Sequence, residues 1–435
     1  MKKNSLSDRG IKAATTVIRT DMEAYFDAVQ NLYHRDNNPN GAFPLNVAEN
    51  KLSWHLLKAK IQDITRKKEI PEWVSSYTSG KGSPSFREAV AKFLSRFLTK
   101  SDVNPEQLAF SAGATSVIEM TALVLGDIGD VAAFPAPCYP VYKQDIGNIA
   151  GMERYDIITH HELSAIKDGL LLNISDLEKA KKDIEKQGKK FRMLVLTNPD
   201  NPTGGMYKTE QLLKITNWCE DQKIHLIVNE IYGLSLINTT HPSIKHDYTV
   251  DINFASFLDI MAVKKSQYLH WWYSFSKDFG ISGFRVGAVY SHNEKMITAY
   301  ENLNYSHLVS NYTQWILEEI LNDTAFIASY ISQNQALLTE AYITVVQVLQ
   351  KLKIDYVPSR GSLFIWIDLS RFLKEDSIEA QHDFWLELYE KTGILLTSGD
   401  GFGHTKKGLF RMVYPYFNRR DLEVMMDRFA NYIVS

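Results

Sequence analysis

The apolar positions of this chain come in short unbroken runs more often than in alternating ones. MLVLT (193–197), IHLIV (224–228) and YLHWWY (268–273) are rich in Leu, Ile, Val and Trp and show no regular polar alternation. Runs of that length predict strands buried on both faces of a mostly parallel sheet. From about residue 61 to residue 322 they alternate with helical stretches, the pattern of an α/β domain. Beyond about Thr324 the pattern changes. A long helical stretch, AFIASYISQNQALLTEAYITVVQVLQKL, leads to the strand-like SLFIWIDL, a helix, GLFRMVYPY, and a last helix that Asn418 begins. This predicts a second, smaller α/β lobe whose aromatic side chains belong to its core. The turn-rich HRDNNPNG (34–41) sets off an N-terminal arm expected to pack with that lobe. The predicted division is an arm over 1–60, a large domain over 61–324 and a small C-terminal domain over 325–435.

Composition narrows the function classes. The net charge is −3 with acidic and basic residues interspersed, which argues against a nucleic-acid surface or a polybasic membrane anchor. The two cysteines, Cys138 and Cys219, lie far apart and without metal-ligand spacing, so neither a disulfide framework nor a metal site is expected. No apolar segment has the length of a signal sequence or a membrane span, and a cytoplasmic enzyme is the expectation.

The candidate chemistry lies in the polar loops that follow the predicted strands. SAGATSVIEM places Gly113, Ala114 and Thr115 at the start of a helix, where backbone N–H groups and a hydroxyl suit an anion such as phosphate. APCYPVY holds Tyr139 between two prolines, a rigid mount for a ring that covers a planar ligand. NPDNPTGG offers the amides of Asn198 and Asn201, and NEIYG puts Asn229 and Tyr232 at the carboxyl end of a strand. SFSKDFGISGFRVG follows YLHWWY with Lys277 in a serine loop, between Ser274 and Ser276 on one side and Arg285 on the other. Each motif alone has a bland reading as a helix start, a turn or a basic surface loop. Ligands of open α/β sheets bind at the carboxyl ends of the strands, so the loops point to one crevice.

In order and spacing, NPDNPTG, NEIY and SFSKDFGISGFRVG resemble the fold type I pyridoxal-phosphate enzymes, in the class I/II aminotransferase family, over nearly the whole chain. The resemblance implies a three-layer aspartate-aminotransferase-like α/β fold, with a mostly parallel sheet in the large domain. It implies pyridoxal 5′-phosphate as cofactor, with Lys277 forming the Schiff base and moving the substrate proton. Gly113, Ala114, Thr115, Ser274, Ser276 and Arg285 would cradle the phosphate, Tyr139 would stack on the ring, and Asn201 and Tyr232 would bond its phenolic oxygen. Tyr77, in SSYTSGKG, matches a tyrosine that reaches the phosphate of a neighbouring subunit, which implies a homodimer with shared sites. Arg411, in GLFRMV, would clamp the carboxylate of an α-amino acid or 2-oxo acid.

One position departs from the family pattern. An aspartate ordinarily pairs the protonated ring nitrogen, and Asn229 stands there. An amide contributes no charge, so a weaker electron sink and a slower proton abstraction are expected, reversed by Asn229→Asp. Glu230 is no substitute, because neighbours on a strand face opposite ways. Within the family, NNPNGAFPLNVAENKLSWHLL and SRGSLFIWIDL are most similar to the 1-aminocyclopropane-1-carboxylate synthase branch, which places Glu49 near the substrate. An aminotransferase is the favoured expectation, because aminotransfer is the commoner activity in the family. NLNYSHLVSNYTQ lacks the second arginine of dicarboxylate-specific members, although His307 offers a cation there. The alternatives are a lyase acting on S-adenosylmethionine, or a cofactor-binding protein impaired by Asn229. The arm is too short and too mixed in charge to add a DNA-binding domain.

Overall fold

The computed structural model describes residues 5–15, 21–159, 163–166 and 169–435. Twelve strands are present among them: β1 (Phe43–Pro44), β2 (Leu108–Ser111), β3 (Val131–Ala136), β4 (Glu153–Ile158), β5 (Phe191–Thr197), β6 (His225–Asn229), β7 (Leu269–Ser274), β8 (Gly287–Ser291), β9 (Phe364–Asp368), β10 (Ile394–Leu395), β11 (Thr397–Ser398) and β12 (Leu409–Val413). Seven of them form the large sheet, in the order β2-β8-β7-β6-β5-β3-β4. Only β8 runs against its neighbours β2 and β7; the other pairs are parallel.

The unbroken apolar runs are explained by burial on both sides. In β5, Leu194 and Leu196 join one hydrophobic cluster while Met193 and Val195 join another. The same alternation divides Leu226 and Val228 from Ile227 in β6. Successive side chains of a strand point to opposite faces, and here both faces are covered by helices.

The small lobe is built on the antiparallel sheet β11-β12-β9. Its core takes in Ala28, Tyr33, Phe43 and Leu45 of the arm, and β1 pairs with β10. The helix Trp54–Lys67 crosses the expected arm boundary: Leu57 and Ile64 both lie in the large-lobe core. The 28-residue helix Thr324–Lys351 joins the lobes, with Ile327 and Tyr330 in the large-lobe core and Leu338 to Leu349 in the small-lobe core. Among the described residues no helix is long and apolar enough to cross a membrane.

Lys277 is not in an irregular loop. Ser274 ends β7 and caps a single helical turn, Phe275–Asp278, by accepting a hydrogen bond from the Ser276 N–H. Glu230 faces away from the crevice. Its carboxylate accepts from Ser256 Oγ at 2.6 Å, the Phe257 N–H at 2.6 Å and Trp271 Nε1 at 2.7 Å. It thereby holds the first turn of the helix Phe257–Lys264 against β7, and burial raises its pKa to about 7 although these three donors oppose the rise. An amide in its place puts an NH2 group against one of these buried donors. Glu230→Gln is therefore expected to cost about 2 kcal/mol, read from urea unfolding; a change below about 0.5 kcal/mol contradicts the arrangement.

Candidate active site

A cavity of about 220 Å³ opens at the carboxyl ends of the strands. Its wall includes Thr197 and Asn201 at the end of β5, Asn229 and Tyr232 after β6, and Ser276 and Lys277 after β7. The helix Ala114–Leu125 aims its first turn at the same space, with Ala114 and Thr115 on the wall, and Tyr139 reaches it from the loop after β3. The arm supplies Val47 and Ala48, and the small lobe supplies Arg411. Both lobes and the arm therefore meet at one site.

The anion end is held by backbone geometry. Gly113 adopts φ +95°, a region that disfavours side chains, and a Cβ there would stand 2.2 Å from Arg285 Nη2. The close approach lets Arg285 lie over the helix start, where its guanidinium donates to Ala112 O at 3.2 Å and Ser282 O at 2.9 Å. Helix N–H groups, the Thr115, Ser276 and Ser282 hydroxyls, and one guanidinium match a phosphate dianion. Ser274 is fully buried and stands behind this wall, 2.8 Å from Val286 O and 2.9 Å from Ser276 Oγ. It shapes the turn that presents Ser276 and Lys277.

Lys277 Nζ donates to Ala48 O at 2.6 Å. Arg411, only 2% exposed, donates to Asn201 Oδ1 at 2.9 Å, Asn46 O at 2.7 Å and Thr397 Oγ1 at 3.2 Å. Its guanidinium also lies 4.4 Å from the Phe364 ring centroid. Burial raises the Tyr232 hydroxyl pKa, an effect that nearby Arg411 partly offsets. Asn229 donates to the Tyr142 hydroxyl at 3.0 Å and accepts from the Ile231 N–H at 3.2 Å.

Some of the residues singled out in the sequence are not on this wall: Gly113 and Ser274 shape the turns that present their neighbours, Asn198 accepts from the Tyr207 N–H at 3.1 Å, and Glu49 and Tyr77 lie elsewhere. Glu49 pairs with Lys51 at 2.8 Å, while its neighbours Val47 and Ala48 line the cavity. Tyr77 is 95% exposed on the outer surface. The structure adds Tyr142, Asp145, Ile118 and Thr197 to the deep wall. Tyr142 carried one signal, an aromatic three residues after Tyr139; Asp145 follows it by three more, which is one helical face.

An amine, an aromatic ring, a phosphate-type cradle and an amide-phenol pair are the donor set that an aromatic aldehyde bearing a phosphate requires. Gly113→Ala is expected to raise the dissociation constant for pyridoxal phosphate about 5-fold or more, because the added methyl displaces Arg285 and strain of this kind costs about 1–3 kcal/mol. Equilibrium dialysis checks this, and unchanged affinity in a folded variant contradicts the cradle.

The comparisons with known proteins agree with this geometry. The family model described as aminotransferase class I and II matches residues 43–429. The 1-aminocyclopropane-1-carboxylate synthase CMA101 of Cucurbita maxima is 29% identical over 419 residues, covering 93% of this chain and 85% of that protein. A probable inactive 1-aminocyclopropane-1-carboxylate synthase-like protein 2 of Mus musculus is 31% identical over 411 residues, covering 93% of this chain and 68% of its own length. Among solved structures, a double mutant of Thermus thermophilus aspartate aminotransferase superposes with a TM-score of 0.78 at 18% identity, covering 98% of this chain and 99% of that one. That likeness shows the fold. The chain belongs to the class I and II aminotransferase family of fold type I, in its 1-aminocyclopropane-1-carboxylate synthase-like branch, and its cofactor is pyridoxal phosphate.

Proposed function

We propose that the chain is an aminotransferase that moves the amino group of an α-amino acid to a 2-oxo acid. The observation that carries this reading is the pairing of Lys277 and Arg411 on the wall of one cavity, with Asn201 bonded to the arginine. Bound pyridoxal phosphate supplies an aldehyde and an electron-accepting ring. Lys277 would hold the cofactor through Nζ and is the amine that would carry the proton taken from the substrate α-carbon.

Arg411 takes the substrate carboxylate in two parallel hydrogen bonds, exchanging its contacts to Asn46 O and Thr397 Oγ1 for charged ones. Phe364 and Phe402 beside the guanidinium keep water away and strengthen the pairing. Tyr232, whose hydroxyl burial keeps protonated, would donate to the cofactor's phenolic oxygen. Ala114, Thr115, Ser276 and Arg285 would hold the phosphate. Tyr77, exposed on this subunit, serves the cavity of a second copy, and the active form is a homodimer.

A second reading, a lyase acting on S-adenosylmethionine, draws on the relatives. Proteins named as 1-aminocyclopropane-1-carboxylate synthases match 93% of the chain. One experiment separates the two readings. The protein loaded with pyridoxal phosphate is mixed with a panel of α-amino acids and with S-adenosylmethionine, and the products are followed by absorbance and mass spectrometry.

Aminotransfer predicts conversion to pyridoxamine phosphate with release of a 2-oxo acid. It also predicts a loss of at least about 10²-fold in Lys277→Ala, the scale of a lost proton-transfer group. Release of 1-aminocyclopropane-1-carboxylate without a 2-oxo acid replaces the aminotransferase with the lyase. Neither product from a cofactor-loaded protein contradicts both.

A further inference from the structure

The deep wall of the cavity holds a carboxylate that the proposed reaction has not used. Asp145 lies on the helix Tyr142–Gly147, lines the cavity with Ile118, Tyr142, Thr197 and Asn229, and is only 4% exposed. Its Oδ2 is buried without a hydrogen-bond partner among the described residues. Burying a carboxylate in this way is costly unless a cation or a proton-bearing group meets it.

Among the described residues no basic side chain forms an ion pair with it. The charge acting on Asp145 is that of Glu119, another acid, which together with burial raises its pKa to about 7. A cavity-facing acid of this kind calls for a ligand that brings its own positive charge.

Position 229 supplies none in return. The Asn229 amide is neutral; it donates one N–H to Tyr142 and accepts from the Ile231 N–H. Tyr142 passes the contact on to Thr197 Oγ1 at 3.1 Å. Tyr142 and Asp145 are one helical turn apart, so the acid sits beside the phenol that Asn229 touches. The chain has a neutral residue where a charge is expected and an unmatched carboxylate on the same wall.

We propose that Asp145 is the anionic group that keeps the ring nitrogen of pyridoxal phosphate protonated in this chain, taking the charge role that Asn229 does not fill. The inference rests on the reading of this cavity as the cofactor site. The proton comes from solvent and stays on the nitrogen. Asp145 is ionised in the holoenzyme and acts by Coulombic attraction in a wall closed to water. Asn229 and Tyr142 orient the ring without charging it. Under this arrangement Asn229→Asp alone leaves the nitrogen as it is, whereas a weak electron sink at position 229 predicts a gain.

The test is nitrogen NMR of the holoenzyme loaded with pyridoxal phosphate labelled with ¹⁵N in its ring. The native protein at neutral pH is expected to show the protonated-pyridine signal. Asp145→Asn is expected to move it to the free-pyridine position, and Asp145→Asn with Asn229→Asp to bring it back. Should Asp145→Asn fail to fold, Asp145→Ser carries the same expectation.

A free-pyridine signal in the native protein overturns the proposal without any variant. So does a protonated signal that persists in Asp145→Asn or Asp145→Ser. If the label shows only unbound cofactor and borohydride fixes none to Lys277, the site reading itself has failed, a result separate from either.

Discussion

A buried arginine holds the three parts of this molecule together. Arg411 comes from strand β12 of the small lobe, and its guanidinium reaches Asn201 in the large-lobe loop after β5 and the Asn46 carbonyl in the arm. These contacts and Thr397 are uncharged, and aromatic rings line the other side. At 2% exposure this cation spans the small lobe, the large-lobe loop and the arm at one point of the cavity wall. The same bonds dock the small lobe and the arm at the cavity wall, which is where the proposed function puts a substrate carboxylate.

The opposite end of the cavity depends on backbone shape. Gly113 permits the approach of Arg285, and Ser274 turns the end of β7 into the helical turn that carries Lys277. Between the two ends, Tyr139, Asn201 and Tyr232 occupy loops that a parallel sheet brings to one edge. Glu230 shows the other use of a strand end. One residue from Asn229, it points into the core and ties the helix Phe257–Lys264 to β7.

Much of this is legible in the sequence. Apolar runs such as MLVLT and IHLIV have no polar alternation because helices cover both faces of the sheet, and the loops after them carry the polar residues of the cavity. The alternation of a strand also separates Glu230 from Asn229. Other features were hidden for physical reasons. Lys277 read as a loop residue because a four-residue helical turn has no periodicity to detect. Ser274 read as a phosphate ligand, yet its hydroxyl is taken by Val286 O and Ser276. Leu57 lies in the large-lobe core because the helix Trp54–Lys67 begins before the expected boundary. Nothing in the sequence singles out Asp145, since its burial follows from the packing of its short helix against the helix Ala114–Leu125. Tyr77 and Glu49 drew attention through the resemblance alone.

The central claim is that this cavity binds pyridoxal phosphate through Lys277. Borohydride reduction of the loaded protein, followed by peptide mapping by mass spectrometry, tests it most directly. The account predicts that the added pyridoxyl mass falls on the peptide containing Lys277 and at that residue. Label spread over surface lysines, or a protein that takes up no cofactor, would contradict it.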